Sequence, residues 1–283
     1  MSAKKAPLLG VFDSGIGGLS VLRAIRAQIP AQPVIYFGDQ LHVPYGARSL
    51  DQVREFSRMV VQFLFAQGAA LIVVACNTAS VAALHPLRDE FPQIPFVGME
   101  PAVKPAAELT RTGVVGVLAT YATFQGELYA SVVERFAKGV TVMQDPCTGL
   151  VAEIEKGNLD GPETRAILER ALNPMLEKGI DTVVMGCTHY PFVIPLIQQI
   201  TGPNVRVIDP APAVARQTRR LLELHKLLAP GESPVEVRFI TSGSPNKFSE
   251  MLVQLLGESH PVEQALWHND ETITLVSPHS FHS

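Results

Sequence analysis

The sequence predicts an α/β protein of two similar lobes, each an open parallel sheet, with the active site in the cleft between them. Short apolar segments alternate with helix-like segments from Leu8 onward, and the alternation restarts at Val114. This pattern is typical of parallel sheets that are covered by helices on both faces. In each half one apolar segment ends in a cysteine, Cys76 or Cys187, which polar residues follow. The repeat therefore predicts a pseudo-symmetric pair of lobes that each present one thiol.

The first half has the order β-α-β-α-β. Apolar stretches predict strands at residues 8–12, 34–37, 71–75 and 96–99. Apolar residues at helical spacing predict helices between these strands, and Ser49 and Asp51 can cap the second helix. The stretch before Cys76 is apolar without a break, which favours a strand that is buried on both faces.

The second half repeats the order, and a tail follows it. Strands are predicted at 114–118, 140–143, 182–185 and 205–208, and helices near 128–132, at 150–156 and at 164–178. We expect Pro174 to interrupt the last of these helices. The tail predicts a helix at 214–228, a strand at 235–240, a helix at 247–256 and a final strand. Because the tail can return to complete the first half, the predicted lobes are residues 1–99 plus 211–283, and residues 100–210.

Composition excludes several classes of protein. The formal net charge is −4 and the chain has no basic block, so neither nucleic acid nor a membrane surface is an expected partner. No apolar run approaches the roughly 18 residues of a membrane helix, and the segment before the first strand lacks the apolar region of a signal peptide. Three cysteines without a Cys-x-x-Cys pair give no disulfide framework. We expect a cytoplasmic protein with reduced thiols.

Polar residues follow the ends of the predicted strands. They are Asp13, Ser14, Asp39, Cys76, Thr120, Cys187 and Asp209. In open α/β sheets, ligands bind outside the carboxyl ends of the strands. One cleft between the lobes could therefore gather most of these side chains.

The two strand-end cysteines are the strongest catalytic candidates. A single cysteine in such a place is commonly buried and inert. Here each cysteine precedes polar residues and a predicted helix start, where backbone N–H groups and the helix dipole stabilise a thiolate. Cys147 has no such setting and is interpreted as structural.

Several cysteine chemistries compete. A zinc site of Cys76, Cys187 and His189 lacks the usual ligand spacing. A redox pair requires Cα atoms within about 7 Å, which leaves no room for a substrate. A Cys–His hydrolase leaves one thiol unexplained. Two opposed thiols are best explained by proton transfer at a carbon atom, in which one removes a proton and the other returns one to the opposite face. We therefore expect a racemase or epimerase that uses no metal and no cofactor.

The glycine-rich segment DSGIGG at residues 13–18 only partly matches phosphate-binding loops. It lacks the Gly-Lys-Ser/Thr ending of a P-loop, and Ser20 stands where the dinucleotide fingerprint has its third glycine. Asp13 would also repel a phosphate. Two interpretations stay open at this point: Asp13 handles a proton with Ser14 as a hydrogen-bond donor, or the segment is a helix cap with a tight turn.

Four segments together resemble the signature blocks of the glutamate racemase family. They are GVFDSGIGGLS (10–20), PYG (44–46), VACNTAS (74–80) and GCTHYP (186–191), and they occur in the family's order. The resemblance extends from residue 8 to about residue 257. It implies cofactor-independent interconversion of L- and D-glutamate, which supplies D-glutamate for peptidoglycan.

The resemblance also implies roles for individual residues. Cys76 would act on the D-enantiomer with the help of Asp13, and Cys187 on the L-enantiomer with the help of His189. The substrate's carboxylates and amine would be held by Asp13, Ser14, Tyr45, Gly46, Asn77, Thr78, Thr188 and His189.

The chain departs from the family at two places. Many relatives have Cys-Pro-x-x-Val-Pro-x-x-Glu where this chain matches only at Cys147, Val151 and Glu155, so the catalytic acidic role falls to Glu155 or to the neighbouring Glu153. Asp209 is followed by proline instead of the more usual serine.

Two other functions stay open: a racemase or isomerase of another small dicarboxylic acid such as aspartate or maleate, and a catalytically weak binding or regulatory protein. A homodimer is compatible with the sequence.

Overall fold

The computed structural model describes residues 6–276, so residues 1–5 and 277–283 of the first predicted lobe lie outside it. The strands are β1 Leu8–Asp13, β2 Val34–Gly38, β3 Ala69–Val74, β4 Phe96–Val97, β5 Val114–Ala119, β6 Thr141–Asp145, β7 Thr182–Gly186, β8 Arg206–Ile208, β9 Val237–Thr241, β10 Val262–His268 and β11 Thr272–Leu275. The helices are α1 Leu19–Gln28, α2 Leu50–Ala66, α3 Asn77–Glu90, α4 Val103–Leu109, α5 Tyr121–Phe124, α6 Glu127–Phe136, α7 Leu150–Glu155, α8 Pro162–Glu177, α9 Ile194–Thr201, α10 Ala211–Leu224 and α11 Pro245–Leu256. Short 3-10 turns occur at Tyr45–Ala47 and Tyr190–Val193. Across these residues, no helix has both the length and the apolar character to cross a membrane.

The strands described here form two sheets with a shared topology. One sheet has seven strands in the order β11-β10-β9-β2-β1-β3-β4, and the other has four in the order β6-β5-β7-β8. The order β2-β1-β3-β4 is repeated as β6-β5-β7-β8, so β3 and β7 hold equivalent places. The predicted fold class is confirmed. The sheets differ in size because the tail adds three strands beside β2, and β11 pairs antiparallel with β10.

Alternation along the central strands builds the core on both faces of the larger sheet. In β3, Leu71 and Val73 belong to one buried cluster, whereas Ile72 and Val74 belong to another. Side chains alternate across a strand, so an unbroken apolar run fills both faces. The first of these clusters continues into the smaller sheet through Met185 of β7, which joins the two lobes by apolar packing.

Two predicted helices differ from the structure. Pro174 does not interrupt α8, which is continuous from Pro162 to Glu177. A proline inside a helix costs about 3 kcal/mol, but the neighbouring Leu172 and Met175 are buried and hold this helix against the core. The helix that was predicted at 214–228 begins and ends earlier in the chain, as α10 at Ala211–Leu224. It ends at Leu224 because Lys226 adopts a left-handed conformation with φ of 57°.

Candidate active site

A narrow cavity lies between the carboxyl ends of the two sheets. Its walls are Ser14, Pro44, Tyr45, Gly46, Cys76, Asn77, Thr78, Thr120, Val151, Cys187, Thr188 and His189. Of the site residues predicted from the sequence, only Asp13 and Glu155 are not part of the wall, and both lie directly behind it. Three wall residues, Pro44, Thr120 and Val151, were not among the predicted site residues.

Cys76 caps helix α3. Its backbone is extended, with φ of −143° and ψ of 124°, and its Sγ accepts a hydrogen bond from the N–H of Ala79 at 3.4 Å. Burial raises the pKa of the Cys76 thiol, the charge of Asp13 raises it further, and the Ala79 N–H opposes both effects. The protonated thiol is therefore the favoured form of Cys76.

Cys187 has a different setting, and the prediction of a helix start beside it is wrong. Thr188 and His189 follow it, and then come the 3-10 turn at Tyr190–Val193 and finally helix α9. Pro195 lies in the first turn of α9, where proline favours a helix start, and so places that start well beyond the thiol. The partner of Cys187 is a side chain instead, because its Sγ lies 3.8 Å from Nδ1 of His189.

His189 and Glu155 form a buried ion pair. Nε2 of His189 donates to Oε1 of Glu155 at 2.6 Å. Burial opposes charge on the imidazole, but its hydrogen bonds to Cys187 and Glu155 and the charge of Glu155 outweigh burial and raise the pKa of His189 well above its ordinary value. Burial likewise opposes charge on Glu155, but His189 and the other donors lower the pKa of that carboxyl.

The first lobe supplies the other donors to Glu155. The N–H of Ile16 donates to Oε1 at 2.9 Å, and Nε2 of Gln40 donates to Oε2 at 3.2 Å. Glu153 instead bonds Lys156 and Asn158 and does not contact His189. The structure therefore places Glu155, of the two candidates, against His189. Ile16 and Gln40 carried no sequence signal that marked them for this contact.

Asp13 is fully buried between the lobes. Its Oδ1 accepts from the N–H of Gly15 at 2.8 Å, and its Oδ2 accepts from the hydroxyl of Thr188 at 2.9 Å. Burial raises the pKa of the Asp13 carboxyl, although the charge of His189 and these hydrogen bonds oppose the rise. Asp13 thus joins the two half-sites, because it contacts Thr188 and its charge acts on Cys76.

The glycines after Asp13 allow the two lobes to approach closely. A Cβ at Gly15 would overlap the carboxylate of Glu155, and a Cβ at Gly17 would overlap His189 Nδ1 and lie 2.7 Å from Thr188 Oγ1. Neither glycine has a left-handed φ. The glycine-rich segment is therefore neither a phosphate loop nor only a tight turn, since its missing side chains make room for the second half-site.

Two further wall residues differ in what they offer a ligand. The amide of Asn77 is 2% exposed, and neither its nitrogen nor its oxygen has a hydrogen-bond partner among residues 6–276. Tyr45 presents its backbone instead, because its hydroxyl donates to Asp39 Oδ2 at 2.7 Å. Nowhere in the described part of the chain do three His, Cys, Asp or Glu side chains converge as a metal site would require.

Comparison with known proteins first identifies the class of protein to which the chain belongs. A family model described as Asp/Glu/Hydantoin racemase matches residues 10–218. That match covers both strand-end thiols and every residue of the cavity wall. The fold and the site are thus those of a two-lobed α/β racemase.

Individual relatives show which branch of this class of racemases the chain belongs to. A glutamate racemase from Pseudomonas paraeruginosa is 50% identical over 262 residues, which are 93% of this chain and 98% of the relative. The structure of Francisella tularensis glutamate racemase in complex with D-glutamate has a TM-score of 0.79 at 30% identity, covering 93% of this chain and 98% of that one. The structure of Escherichia coli glutamate racemase in complex with L-glutamate and the activator UDP-MurNAc-ala has a TM-score of 0.79 at 33% identity, covering 96% of this chain and 100% of that one. The chain therefore belongs to the aspartate/glutamate racemase family, within its glutamate racemase branch.

Adding a methyl group at Gly17 tests the close approach of the lobes. We expect Gly17→Ala to lower kcat about a hundredfold, because His189 must move away from Cys187. Steady-state racemisation assays measure this loss. The control is Gly113→Ala before β5, where φ is 72° and no atom lies within 4 Å of the added Cβ. The control should lose about 1–2 kcal/mol of stability but keep its kcat. Equal kcat values for the two variants would contradict the proposed contact.

Neutralising Glu155 tests the ion pair. We expect Glu155→Gln to lower the pKa of His189, because the variant keeps the shape of the side chain but removes its charge. The imidazolium should then lose its proton at a lower pH than in the wild type. The charge of His189 should differ between the two proteins mainly at pH values between the lowered and the raised pKa. Imidazole titration by NMR measures this, and the spectrum of His189→Asn identifies the resonance among the chain's eight histidines. An unchanged His189 titration would show that Glu155 does not hold the charge.

Proposed function

We propose that this enzyme interconverts L- and D-glutamate by a two-base mechanism in which Cys76 and Cys187 act on opposite faces of the substrate Cα. The observation that carries the proposal is that both thiols line one narrow cavity, each from the equivalent strand end of its own lobe. Inversion at a carbon requires one group that removes a proton and another that supplies a proton to the opposite face. The chain's own side chains provide both groups, so the proposed reaction needs no cofactor and no metal.

Uncharged donors around the cavity support glutamate as the substrate. The N–H groups of Asn77 and Thr78 lie in the first turn of α3, and those of Tyr45 and Gly46 begin the 3-10 turn, where intrahelical partners are lacking. Such groups bind carboxylates without adding a second cation to the His189 imidazolium that already lies beside Cys187. The unpaired amide of Asn77 can bind a further polar group. The D- and L-glutamate complexes of the Francisella and Escherichia enzymes point to the same ligand.

In the direction from L to D, Cys187 as thiolate takes the proton from Cα. The nearby His189 imidazolium stabilises this thiolate, and Glu155 keeps the imidazole charged. The electron pair left on Cα then takes the proton of Cys76, whose raised pKa keeps the thiol protonated until that moment. Cys187 ends as a thiol and Cys76 as a thiolate, and exchange with water restores the starting state.

In the opposite direction the two thiols exchange roles. Cys76 must first lose its proton, and the buried Asp13 is close enough for its charge to act on that thiol. Burial raises the pKa of Asp13, so this carboxylate is a better proton acceptor than an exposed one. Asp13 therefore assists Cys76 by accepting its proton, whereas His189 assists Cys187 by its positive charge. In this direction Cys187 begins as a thiol, which exchange with water protonates, and it returns its proton to Cα.

The same proposal extends to the organisation and the setting of the enzyme. We assign residues 1–99 with 211–283 to one lobe and 100–210 to the other, which agrees with the strands that each sheet contains. The product D-glutamate would supply peptidoglycan synthesis in the cytoplasm. A reducing compartment suits the chain, because its three cysteines are free and two of them must act as thiols. The homodimer stays a prediction.

Cysteine variants separate the two proposed bases from the third thiol. We expect Cys76→Ala and Cys187→Ala each to lower racemisation about 10³-fold or more, because each removes one base. Cys147→Ser should keep most of its activity, since Cys147 transfers no proton in the proposed steps. Polarimetry of L-glutamate with purified protein and no added cofactor gives the rates, and circular dichroism checks the fold. A folded but inactive Cys147→Ser would contradict this assignment.

Solvent deuterium tests the two-base geometry directly. Thiol protons exchange rapidly with water, so the thiol that returns a proton should carry deuterium when the enzyme is in D₂O. The first D-glutamate formed from L-glutamate should carry deuterium at Cα, while the remaining L-glutamate stays largely protiated. The mirror result is expected from D-glutamate. Mass spectrometry of the separated enantiomers at early times measures this, and protiated product in both directions would exclude two opposed bases.

A further inference from the structure

A buried carboxylate beside the cavity gathers donors from distant parts of the chain. Asp39 follows β2 and is fully buried. Its Oδ2 accepts from the hydroxyl of Tyr45 at 2.7 Å and from Nδ1 of His42 at 2.8 Å. Its Oδ1 accepts from the hydroxyl of Ser242 at 2.7 Å and from Nε1 of Trp267 at 2.8 Å. The four donors use all the acceptor positions that a carboxylate offers.

The donors connect the loop after β2 to the C-terminal strands. Ser242 directly follows β9 and Trp267 belongs to β10, so both are fixed by the sheet. The hydroxyl of Ser242 also accepts from the N–H of Leu41 in the loop at 3.0 Å. The ring of His42 lies edge-on to Trp267, with centroids 4.7 Å apart. The loop is therefore attached to strands that lie more than 190 residues away in the sequence.

The attached loop forms one wall of the cavity. Tyr45 and Gly46 line the cavity, and the Tyr45 hydroxyl donates to Asp39, which is not part of the cavity wall. Gly46 also packs tightly against Thr120 of the second lobe, since a Cβ at Gly46 would lie 2.6 Å from Thr120 Cβ. A shift of a few tenths of an ångström in this loop would change both the cavity wall and the contact between lobes.

We propose that Trp267 and Ser242 are positioning residues for substrate binding, which hold the Tyr45–Gly46 backbone at the cavity through Asp39. The proposal rests on the proposed function, in which that backbone binds a carboxylate of glutamate. The strands β3 and β7 carry the thiols, and Gln40, the loop residue that donates to Glu155, is held separately by the hydroxyl of Thr241, which donates to its Oε1 at 3.0 Å. Loosening the loop therefore weakens substrate binding and leaves the proton transfers intact.

Trp267→Phe tests the proposal by removing the indole N–H while keeping an aromatic ring. We expect KM for both enantiomers to rise about fivefold, as the loss of one hydrogen bond to a charged group allows, with kcat within about twofold of the wild type. Loss of overall structure would lower the fraction of active enzyme and hence the apparent kcat. It would not raise KM while leaving kcat unchanged. Leu266→Ala is the matched control, because the neighbouring Leu266 is 44% exposed and makes no contact with Asp39. The control should keep both constants.

Ser242→Ala is the second variant and removes a different donor to the same carboxylate. It should raise KM in the same direction, and it remains informative if Trp267→Phe does not fold. The chain has one tryptophan, so the emission of Trp267 reports on this network, and added glutamate should change it. If the wild type racemises glutamate but KM stays within twofold in both variants, the positioning role is overturned. If kcat falls as much as KM rises, it is overturned as well. A wild type that does not racemise glutamate would refute the proposed function instead.

Discussion

The Glu155–His189 ion pair is the interaction on which the site depends. Removing two charged groups from water is costly, and such a pair persists only where further hydrogen bonds satisfy its remaining atoms. Here the first lobe provides them through the N–H of Ile16 and the amide of Gln40. The hydrogen bonds that satisfy the buried Glu155 carboxylate thus form only when the lobes are together. The glycines of the segment 13–18 are also required, because their missing side chains allow the first lobe to approach Glu155 and His189 closely.

Much of the fold could be predicted from the sequence because its signals are local. The apolar runs that end at Cys76 and Cys187 have the length and continuity of buried parallel strands, so the positions of both thiols followed directly. The family blocks then pointed to the residues of the cavity wall. Pro174 shows where local signals fail, because the packing of α8 overrides the intrinsic cost of a proline.

The remaining features of the site depend on contacts between distant residues, which no periodicity encodes. Glu153 and Glu155 are two residues apart and equally acidic, and only the fold turns Glu155 toward His189. The sequence predicted that Tyr45 binds substrate but did not show which of its groups is available, and the fold binds its phenol to a carboxylate six residues earlier. The start of the helix after Cys187 was predicted too early, because the effect of Pro195 on that helix competed with the expected symmetry between the two thiols.

The two thiols occupy equivalent places in the repeated strand order but have unlike surroundings. Cys76 caps a helix near a buried carboxylate, whereas Cys187 faces an imidazolium. In water, L- and D-glutamate are mirror images of equal free energy, so thermodynamics requires the same kcat/KM in both directions. The chemical inequality of the thiols cannot favour either product at equilibrium. The inequality of the thiols can appear only in the separate values of kcat and KM, which can differ between the two directions while their ratio is shared. It therefore also decides which protonation form of the free enzyme accumulates during turnover.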